Sequence, residues 1–269
     1  MQTLHKIYSQ HLFLITNDSY LLFSTIVFES GDLNAAMSTF NSWYEDQLER
    51  GEIPDALQVQ PAMLEIPQMG MSFVILATWT GADADEGHDW IKKVASVQPC
   101  IMEQTQALPL AEYLENNEKL IMYPSYGKSF TVSLRRLTPE AIIALSNFSK
   151  IAPGGSMSFS VHTLRFDCPS EVSAFSSREA HHMIEIMGLS GDPEAEEART
   201  QWVLALVEEL KMQDPANIMS PTYVSLGCDR DTNLEKVYGK YYDRVLALKN
   251  QYDGENVFRY AVPRLVPLP

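Results

Sequence analysis

The sequence predicts an α+β domain, a mostly antiparallel sheet with helices packed on one face. Apolar, β-branched runs joined by tight turns predict antiparallel strands, and stretches with helical spacing follow several of them. No linker, low-complexity tract or clear internal repeat divides the 269 residues. We therefore expect residues 1–269 to form a single domain, in which one sheet face lies under helices and the other has a separate role.

Each predicted element in the first half of the chain has its own signal. Residues 20–28 are apolar and rich in β-branched and aromatic side chains, which predicts a strand, and helical spacing follows over 33–48. Two strand-like runs at 56–65 and 71–80 flank a Pro-Gln-Met-Gly turn and predict a hairpin. The remaining elements of this half are a helix at 85–97, a strand at 100–107 and a short helix at 110–117.

The second half continues the same alternation. Pro139 after Thr138 marks a helix start, and that helix runs to about residue 148. The acidic stretch 192–197 fits a helix N-terminus, where carboxylates interact favourably with the helix dipole. The predicted elements of this half are strands at 156–166, 182–187 and 222–226 and helices at 139–148, 193–211 and 233–251.

Composition and charge exclude several classes of partner. The chain has 20 basic and 35 acidic residues, a formal net charge of −15, which disfavours binding to nucleic acids and anionic membranes. Its three cysteines, Cys100, Cys168 and Cys228, are widely spaced and predict neither a disulfide framework nor a cysteine metal site. The apolar cluster at 12–15 is too short for a signal peptide or membrane span, so we expect a cytoplasmic protein.

The most specific signal lies near the C-terminus, in the run from Tyr238 to Arg259. It is similar to the closing motif of the berberine-bridge-enzyme-like, FAD-linked oxidases, where a helix ends in a Leu-x-x-Lys, x-Tyr-Asp-Pro, x-Asn-x-Phe pattern. Upstream, Tyr223-Val224-Ser225 resembles the Tyr-Val-Asn strand of that family. Two positions depart from the family pattern: Ser225 replaces Asn and Gly254 replaces Pro.

The resemblance extends further back along the chain. Gly154-Gly155, the stretch 173–175 with Arg178, and Trp202 fall where the family has a Gly-Gly, a Thr-Ala-Phe-Pro-His-Arg stretch and a Trp. The resemblance therefore implies the family's substrate-binding and C-terminal portion. Family members also carry a flavin-binding domain, but no Gly-x-Gly-x-x-Gly loop is present here. We therefore expect this chain to lack the flavin domain and to use no cofactor and no metal.

Alternation along the strand at 156–166 selects the first candidate for chemistry. Phe159 and Val161 point to one face, and Ser158, Ser160 and His162 to the other. A histidine on a semi-buried polar face can transfer a proton near pH 7, so His162 is the leading catalytic candidate, with Ser158 and Ser160 as substrate-binding candidates. The competing interpretation is a hydrogen-bonded or exposed sheet histidine.

Neutral amides mark two further strands. Gln58 and Gln60 share one face of their strand, and Gln104 and Gln106 share one face of theirs, so these side chains are candidate pocket donors. Plain solvation of an open face explains them equally well. Trp79 is a candidate lining residue of the same pocket.

Two other residues complete the candidate site. Glu185 lies between Met183 and Met187 on one strand face, as a carboxylate in an apolar setting that could act as an acid or base; an edge-strand charge facing water is the alternative. Tyr223 stands where the resembling family has its active-site strand, so the resemblance implies a hydroxyl that binds a substrate carbonyl; a buried core tyrosine is the alternative. A metal at His181-His182 with Glu185 is disfavoured, because adjacent histidines on a strand point to opposite faces.

Without a flavin the oxidation of the resembling family cannot run, since the cofactor accepts the hydride. We therefore expect a redox-neutral, cofactor-independent cyclase of specialised metabolism, of the Diels-Alder or hetero-Diels-Alder type with or without prior dehydration, acting on a hydrophobic small molecule. The alternatives are a non-catalytic metabolite carrier, a subunit completing a separate flavin-dependent oxidoreductase, and a truncated flavoenzyme. The surface that a flavin domain would have covered also predicts a homodimer.

Overall fold

The fold is known from a computed structural model, which describes residues 20–119, 123–153, 157–165, 174, 178–219, 223–227, 233–261 and 263–266. Its centre is a seven-stranded sheet in the order β4-β1-β3-β2-β6-β7-β5, and every strand pair is antiparallel. The strands are β1 Tyr20–Phe28, β2 Leu57–Ile66, β3 Gly70–Trp79, β4 Cys100–Pro109, β5 Tyr126–Leu134, β6 Met157–Leu164 and β7 His181–Ser190. The predicted α+β class is confirmed.

Four long helices, at 33–49, 84–95, 139–150 and 196–213, pack against one side of this sheet, the covered face. The core between the two layers is built from alternate residues of the central strands, such as Phe73 and Ile75 on β3 and Phe159 on β6, all at most 1% exposed. The helices are α1 Leu33–Glu49, α2 Ala84–Ala95, α3 Leu110–Lys119, α4 Pro139–Lys150, α5 Glu196–Gln213, α6 Val224–Gly227, α7 Leu234–Tyr238 and α8 Tyr242–Asp253.

Local signals explain where the long helices begin. Asp32, Asp83 and Thr138 have extended backbones, and the side chain of each accepts hydrogen bonds from backbone N–H groups of the first turn of α1, α2 or α4. The β2–β3 hairpin turns at Gln68 and Gly70, whose φ angles of 70° and 78° lie in the left-handed region. These caps and turns fix the alternation of layers that the sequence predicts.

Three elements differ from the prediction. The edge strand β5 was not predicted, although residues 129–134 alternate polar and apolar side chains. The strand predicted at 222–226 is wrong, because Val224–Gly227 forms a short helix. The single helix predicted at 233–251 is broken into α7, a 3₁₀ turn and α8, since Gly239 at the end of α7 has a φ of 50°.

No helix in the part of the chain covered by the structure is long and apolar enough to cross a membrane.

Candidate functional site

The face of the sheet opposite the main helical layer, the open face, carries most of the predicted site residues. Its members are fixed by cross-strand pairing, because directly paired residues of antiparallel strands point to the same side. Helix α3 returns over one end of this face, where the Tyr113 ring contacts Phe23 with a 5.3 Å centroid separation. The open-face residues relevant here are Phe23, Thr25, Gln58, Gln60, Leu76, Thr78, Gln104, Gln106, Thr131, Ser160, His162 and Glu185.

Three of the predicted residues meet on strands β6 and β7. His162 Nε2 lies 3.1 Å from Glu185 Oε2 and 3.1 Å from Ser160 Oγ. The Glu185 and His162 side chains are 15% and 32% exposed, whereas Ser160 is buried. Because β7 lies between β6 and β5, Glu185 is not on an edge strand. The structure thus forms a histidine–carboxylate pair, the dyad His162–Glu185, that is partly shielded from water.

The shared nitrogen limits what this arrangement can do. A serine nucleophile needs a bare histidine nitrogen, with the orienting carboxylate on the other ring nitrogen. Here the carboxylate and the hydroxyl both approach Nε2. An ionised Glu185 requires Nε2 to carry a proton and donate it, so the arrangement does not fit an acyl-transfer triad. It leaves Nδ1 of His162, which has no partner among the described residues, as the nitrogen able to take or give a proton.

The predicted glutamines lie on the open face as expected. Gln58 pairs with Thr78 and Gln60 with Leu76 across the β2–β3 hairpin, and Gln104 pairs with Thr25. Gln60 is half-buried, whereas Gln58 and Gln104 are exposed. The open face therefore carries uncharged hydrogen-bonding groups on β2 and β4, on the same side of the sheet as the dyad.

Trp79 is not part of this face, which corrects the prediction. It is 2% exposed in the core under the helices, and its Nε1 donates a hydrogen bond to the Asp83 carbonyl. A Cβ at Gly87 of α2 would lie 2.5 Å from the indole, so the helix can approach the ring this closely only with glycine there. The alternation along β3 that places Phe73 and Ile75 in the core places Trp79 there too.

Ser158 also departs from the predicted arrangement. The pairing of β2 with β6 shifts register between Met63 and Leu64, opposite the start of β6, which breaks the alternation of faces there. Ser158 is buried, and its Oγ contacts Sδ of Met71, a residue packed against the helix-side core. It is therefore separated from Ser160 and His162.

Tyr223 is not on the strands that carry the dyad; the short helix that follows it packs against β5. It precedes the short helix α6 rather than lying on a strand, and its side chain is 41% exposed. The backbone of residues 223–226 turns helically, since the Leu226 N–H donates to the Tyr223 carbonyl. The predicted Tyr-Val-Asn-like strand is therefore wrong for this chain. Gly154, Gly155, Ser173 and Phe175, which contributed to the resemblance, lie outside the described residues.

A second polar cluster lies on the covered face. Thr163 Oγ1 is 3.1 Å from His182 Nδ1, and Thr163 also hydrogen-bonds the Tyr44 hydroxyl. Burial raises the pKa of Tyr44 to about 12 and, with the nearby His181 and Arg136, lowers the pKa of His182 to about 4. A cavity of about 150 Å³ opens beside His182. His182 is thus a neutral, hydrogen-bonded core histidine.

The adjacent histidines have separate hydrogen-bond partners. His181 Nδ1 lies 2.7 Å from the Glu179 carbonyl, while His182 contacts Thr163. Among the residues that the structure describes, no three His, Cys, Asp or Glu side chains come together as potential metal ligands.

The flavin that the family resemblance implies needs backbone N–H groups for its pyrophosphate, commonly at a helix N-terminus. Asp32 and Asp83 each bond two first-turn N–H groups, of α1 and α2, and Thr138 bonds one of α4. Gly81 and Gly87, beside the start of α2, are packed against the Trp79 ring and are not open to a phosphate. The N-termini of α1, α2 and α4 therefore do not fit a flavin pyrophosphate.

Two features of the candidate site were not predicted from the sequence. The contact between Phe23 and Tyr113 depends on how α3 folds back, which no local pattern predicts. Thr131, directly opposite Glu185, was missed with its strand β5. The polar–apolar alternation over Ser129–Leu134 was the available signal.

No family model matches the sequence. Among curated proteins, it is 22% identical over 218 residues to the FAD-linked oxidoreductase aurO of Gibberella zeae, which covers 79% of this chain and 42% of that protein. The chain therefore spans less than half the length of this relative.

Solved structures give a broader match. The BBE-like 1 protein of Physcomitrella patens superposes with a TM-score of 0.67 and 14% identity, covering 94% of this chain and 55% of that one. The carbohydrate oxidase from Microdochium nivale gives a TM-score of 0.65 with 13% identity, covering 93% and 56%. A berberine bridge enzyme structure gives a TM-score of 0.62 with 16% identity, covering 93% and 56%. The resemblance expected from the C-terminal motif is confirmed: the chain has the fold of the substrate-binding domain of the berberine-bridge-enzyme-like, FAD-linked oxidases.

Proposed function

We propose that the open face binds a hydrophobic small molecule and that the His162–Glu185 dyad transfers a proton on it, in a redox-neutral cyclisation of specialised metabolism. The observation that carries this proposal is the partly buried dyad, with one imidazole nitrogen held by a carboxylate and the other without a protein partner among the described residues. Such a group is suited to general acid–base catalysis.

The dyad can remove water from a substrate in a balanced sequence. Nδ1 of His162 takes a proton from carbon beside a substrate carbonyl, the C–H electrons form a C=C bond, and the C–O bond to a β-hydroxyl breaks. The imidazolium then returns its proton to the departing hydroxide, which leaves as water. Glu185 stabilises the imidazolium through Nε2 and fixes its orientation.

The new double bond can then react in a Diels-Alder or hetero-Diels-Alder cycloaddition. Such a step needs the substrate held in a folded geometry, in which proximity alone can lower the barrier by several kcal/mol. Gln60 and Gln58 can donate hydrogen bonds to substrate carbonyls, and Phe23 with Tyr113 provides an aromatic surface. A hydrogen bond to the reacting carbonyl would accelerate the step further.

Purified protein should convert a neutral substrate from extracts of its biosynthetic source into a product of unchanged mass or lighter by one water. His162→Ala should lower turnover at least ~100-fold, because it removes the proton-transfer group. His88→Ala is the matched control, since His88 is an exposed histidine on α2. A product lighter by two hydrogens, or full turnover by folded His162→Ala, would contradict the proposal.

A second candidate is a subunit that completes a flavin-dependent oxidoreductase. The fold that the chain shares with flavin-linked relatives favours it. So does an apolar surface near the C-terminus: Tyr252, Val257, Phe258 and Tyr260 are 68–85% exposed. Asp253 holds this segment in place by pairing with Lys249 and accepting from two backbone N–H groups. Such a patch suits a partner protein or a second copy.

Co-expression separates this candidate from the first. Protein produced alone and with a flavin-binding partner from the same source would be compared by absorbance and by size-exclusion chromatography with light scattering. Flavin absorbance co-eluting with the complex, and lost on Phe258→Ser, would favour the subunit. A self-associated, colourless protein that turns over substrate would favour a homodimeric cyclase.

A further inference from the structure

A buried hydroxyl lies beside the dyad without a protein partner. Thr131 on β5 is directly opposite Glu185, and its Oγ1 is buried with no hydrogen bond among the described residues. Native proteins satisfy nearly all such groups, because an unpaired buried hydroxyl lowers stability. An oxygen that does not belong to the described residues is therefore expected to bond to it.

The geometry around Glu185 offers that oxygen a second partner. Ser160, Glu185 and Thr131 form one row across β6, β7 and β5 on the open face. Oε2 of Glu185 contacts His162, whereas Oε1 has no partner in the described ranges. Directly opposed residues have Cβ atoms about 4.5–5.5 Å apart, so one oxygen between them can hydrogen-bond both side chains.

We propose that Thr131 and Glu185 together bind the oxygen of an O–H group, supplied by an ordered water or by an alcohol or phenol of the substrate. The bound O–H donates to Oε1 of Glu185, and its oxygen accepts a hydrogen bond from the Thr131 hydroxyl. Thr131 is then a positioning residue that orients the substrate through this oxygen. The inference rests on the proposed function for the substrate hydroxyl, but the oxygen site itself can be tested without turnover.

The first test measures stability by urea unfolding of Thr131→Val and Thr131→Ser. Valine has nearly the same shape as threonine but no hydroxyl, so it leaves stability unchanged or higher when the native hydroxyl is unpaired. Where the hydroxyl binds an oxygen, valine should lower the urea midpoint and serine should restore most of it. Thr25→Val, on the open face but away from the dyad, is the matched control and should not shift the midpoint. An unchanged or raised midpoint for Thr131→Val, together with equal affinity of phenol for Thr131→Val and for the unsubstituted protein, would overturn the proposal.

The second test distinguishes the two sources of the oxygen by NMR. A rotating-frame nuclear Overhauser effect between water protons and the Thr131 methyl protons, here called the water contact, would show a resident water in the free protein. Phenol and anisole are then titrated into the protein, since phenol has the O–H group that anisole lacks. A substrate-hydroxyl site is identified if phenol removes the water contact and binds about tenfold more tightly than anisole. Persistence of the contact with no phenol preference identifies a structural water. Absence of both the contact and the preference would overturn the proposal, whatever the outcome of the turnover experiment with His162→Ala.

Discussion

The two faces of the sheet use the same strands for opposite purposes. On the covered face, polar groups such as His182 and Thr163 hydrogen-bond to each other and are buried. On the open face, His162 keeps one ring nitrogen without a partner in the described residues and remains one-third exposed. Two histidines on neighbouring strands therefore have different roles, because neighbouring positions on a strand face different environments. Stability should depend mainly on the covered face and activity on the open face.

The largest expected effect tests whether the covered face contributes more to stability than the open face. Phe159→Ala, which empties a fully buried position on the covered face, should lower the free energy of unfolding by about 3–5 kcal/mol. Phe23→Ala on the open face, where the ring is half-buried, should cost only about 1 kcal/mol. Urea unfolding monitored by circular dichroism measures both. Equal losses would show that the two faces share the stabilising role.

The covered-face histidine predicts a pH dependence of stability. The pKa of His182 falls from 6.5 to about 4 on folding, so between these values the unfolded chain binds a proton that the folded chain does not. Stability is then fully present above pH 6.5 and falls by roughly 3 kcal/mol as the pH drops to 4. His182→Gln should flatten this part of the curve, whereas His88→Gln should leave it unchanged. Parallel curves for the two variants would contradict the assignment.

Substitution of His162, the open-face histidine, should affect activity much more than stability. His162→Gln should lower turnover about 100-fold, a barrier increase of about 3 kcal/mol, while the free energy of unfolding changes by less than about 1 kcal/mol. Steady-state kinetics and urea unfolding on the same preparations separate the two effects. A loss of stability as large as the loss of activity would place His162 with the structural histidines.

The smallest effect concerns the amides at the far side of the open face. Gln104→Leu should raise KM by about 3- to 10-fold with little change in kcat, because it removes one neutral hydrogen bond to substrate and leaves the dyad intact. Gln201→Leu, on the solvent side of α5, is the matched control. A drop in kcat instead would mean that β4 takes part in the chemistry.

The sequence predicts which residues of a strand lie on each face of the sheet better than it predicts which side chains contact each other. The alternation in β6 correctly separates Val161 from His162, because a period of two needs no knowledge of neighbouring strands. The contact between His162 and Glu185 could not be predicted, since it depends on β6 pairing with β7 in one register. Ser158 was misplaced for the same reason: the register shift beside it is a property of the strand pair.

The errors at Trp79 and Tyr223 have a different origin. The prediction that Trp79 lines the pocket is wrong, because the alternation along β3 places it with Phe73 in the core. Tyr223 was assigned through the family motif, but the short helix that follows it does not form the strand of that motif. The family motif therefore predicted the fold of this chain correctly, but it did not predict the local structure at Tyr223.

The strand pleat also has an evolutionary consequence. Gln58, Gln60, Gln104 and Gln106 lie on positions whose side chains contribute little to the core, although Leu57 and Val59, beside the two glutamines of β2, are core residues. Replacements at these four sites can accumulate without unfolding the protein, so a gene of this kind can acquire new ligand preferences by drift. Randomised libraries confined to these codons should retain a high proportion of folded members and vary widely in the compounds they bind.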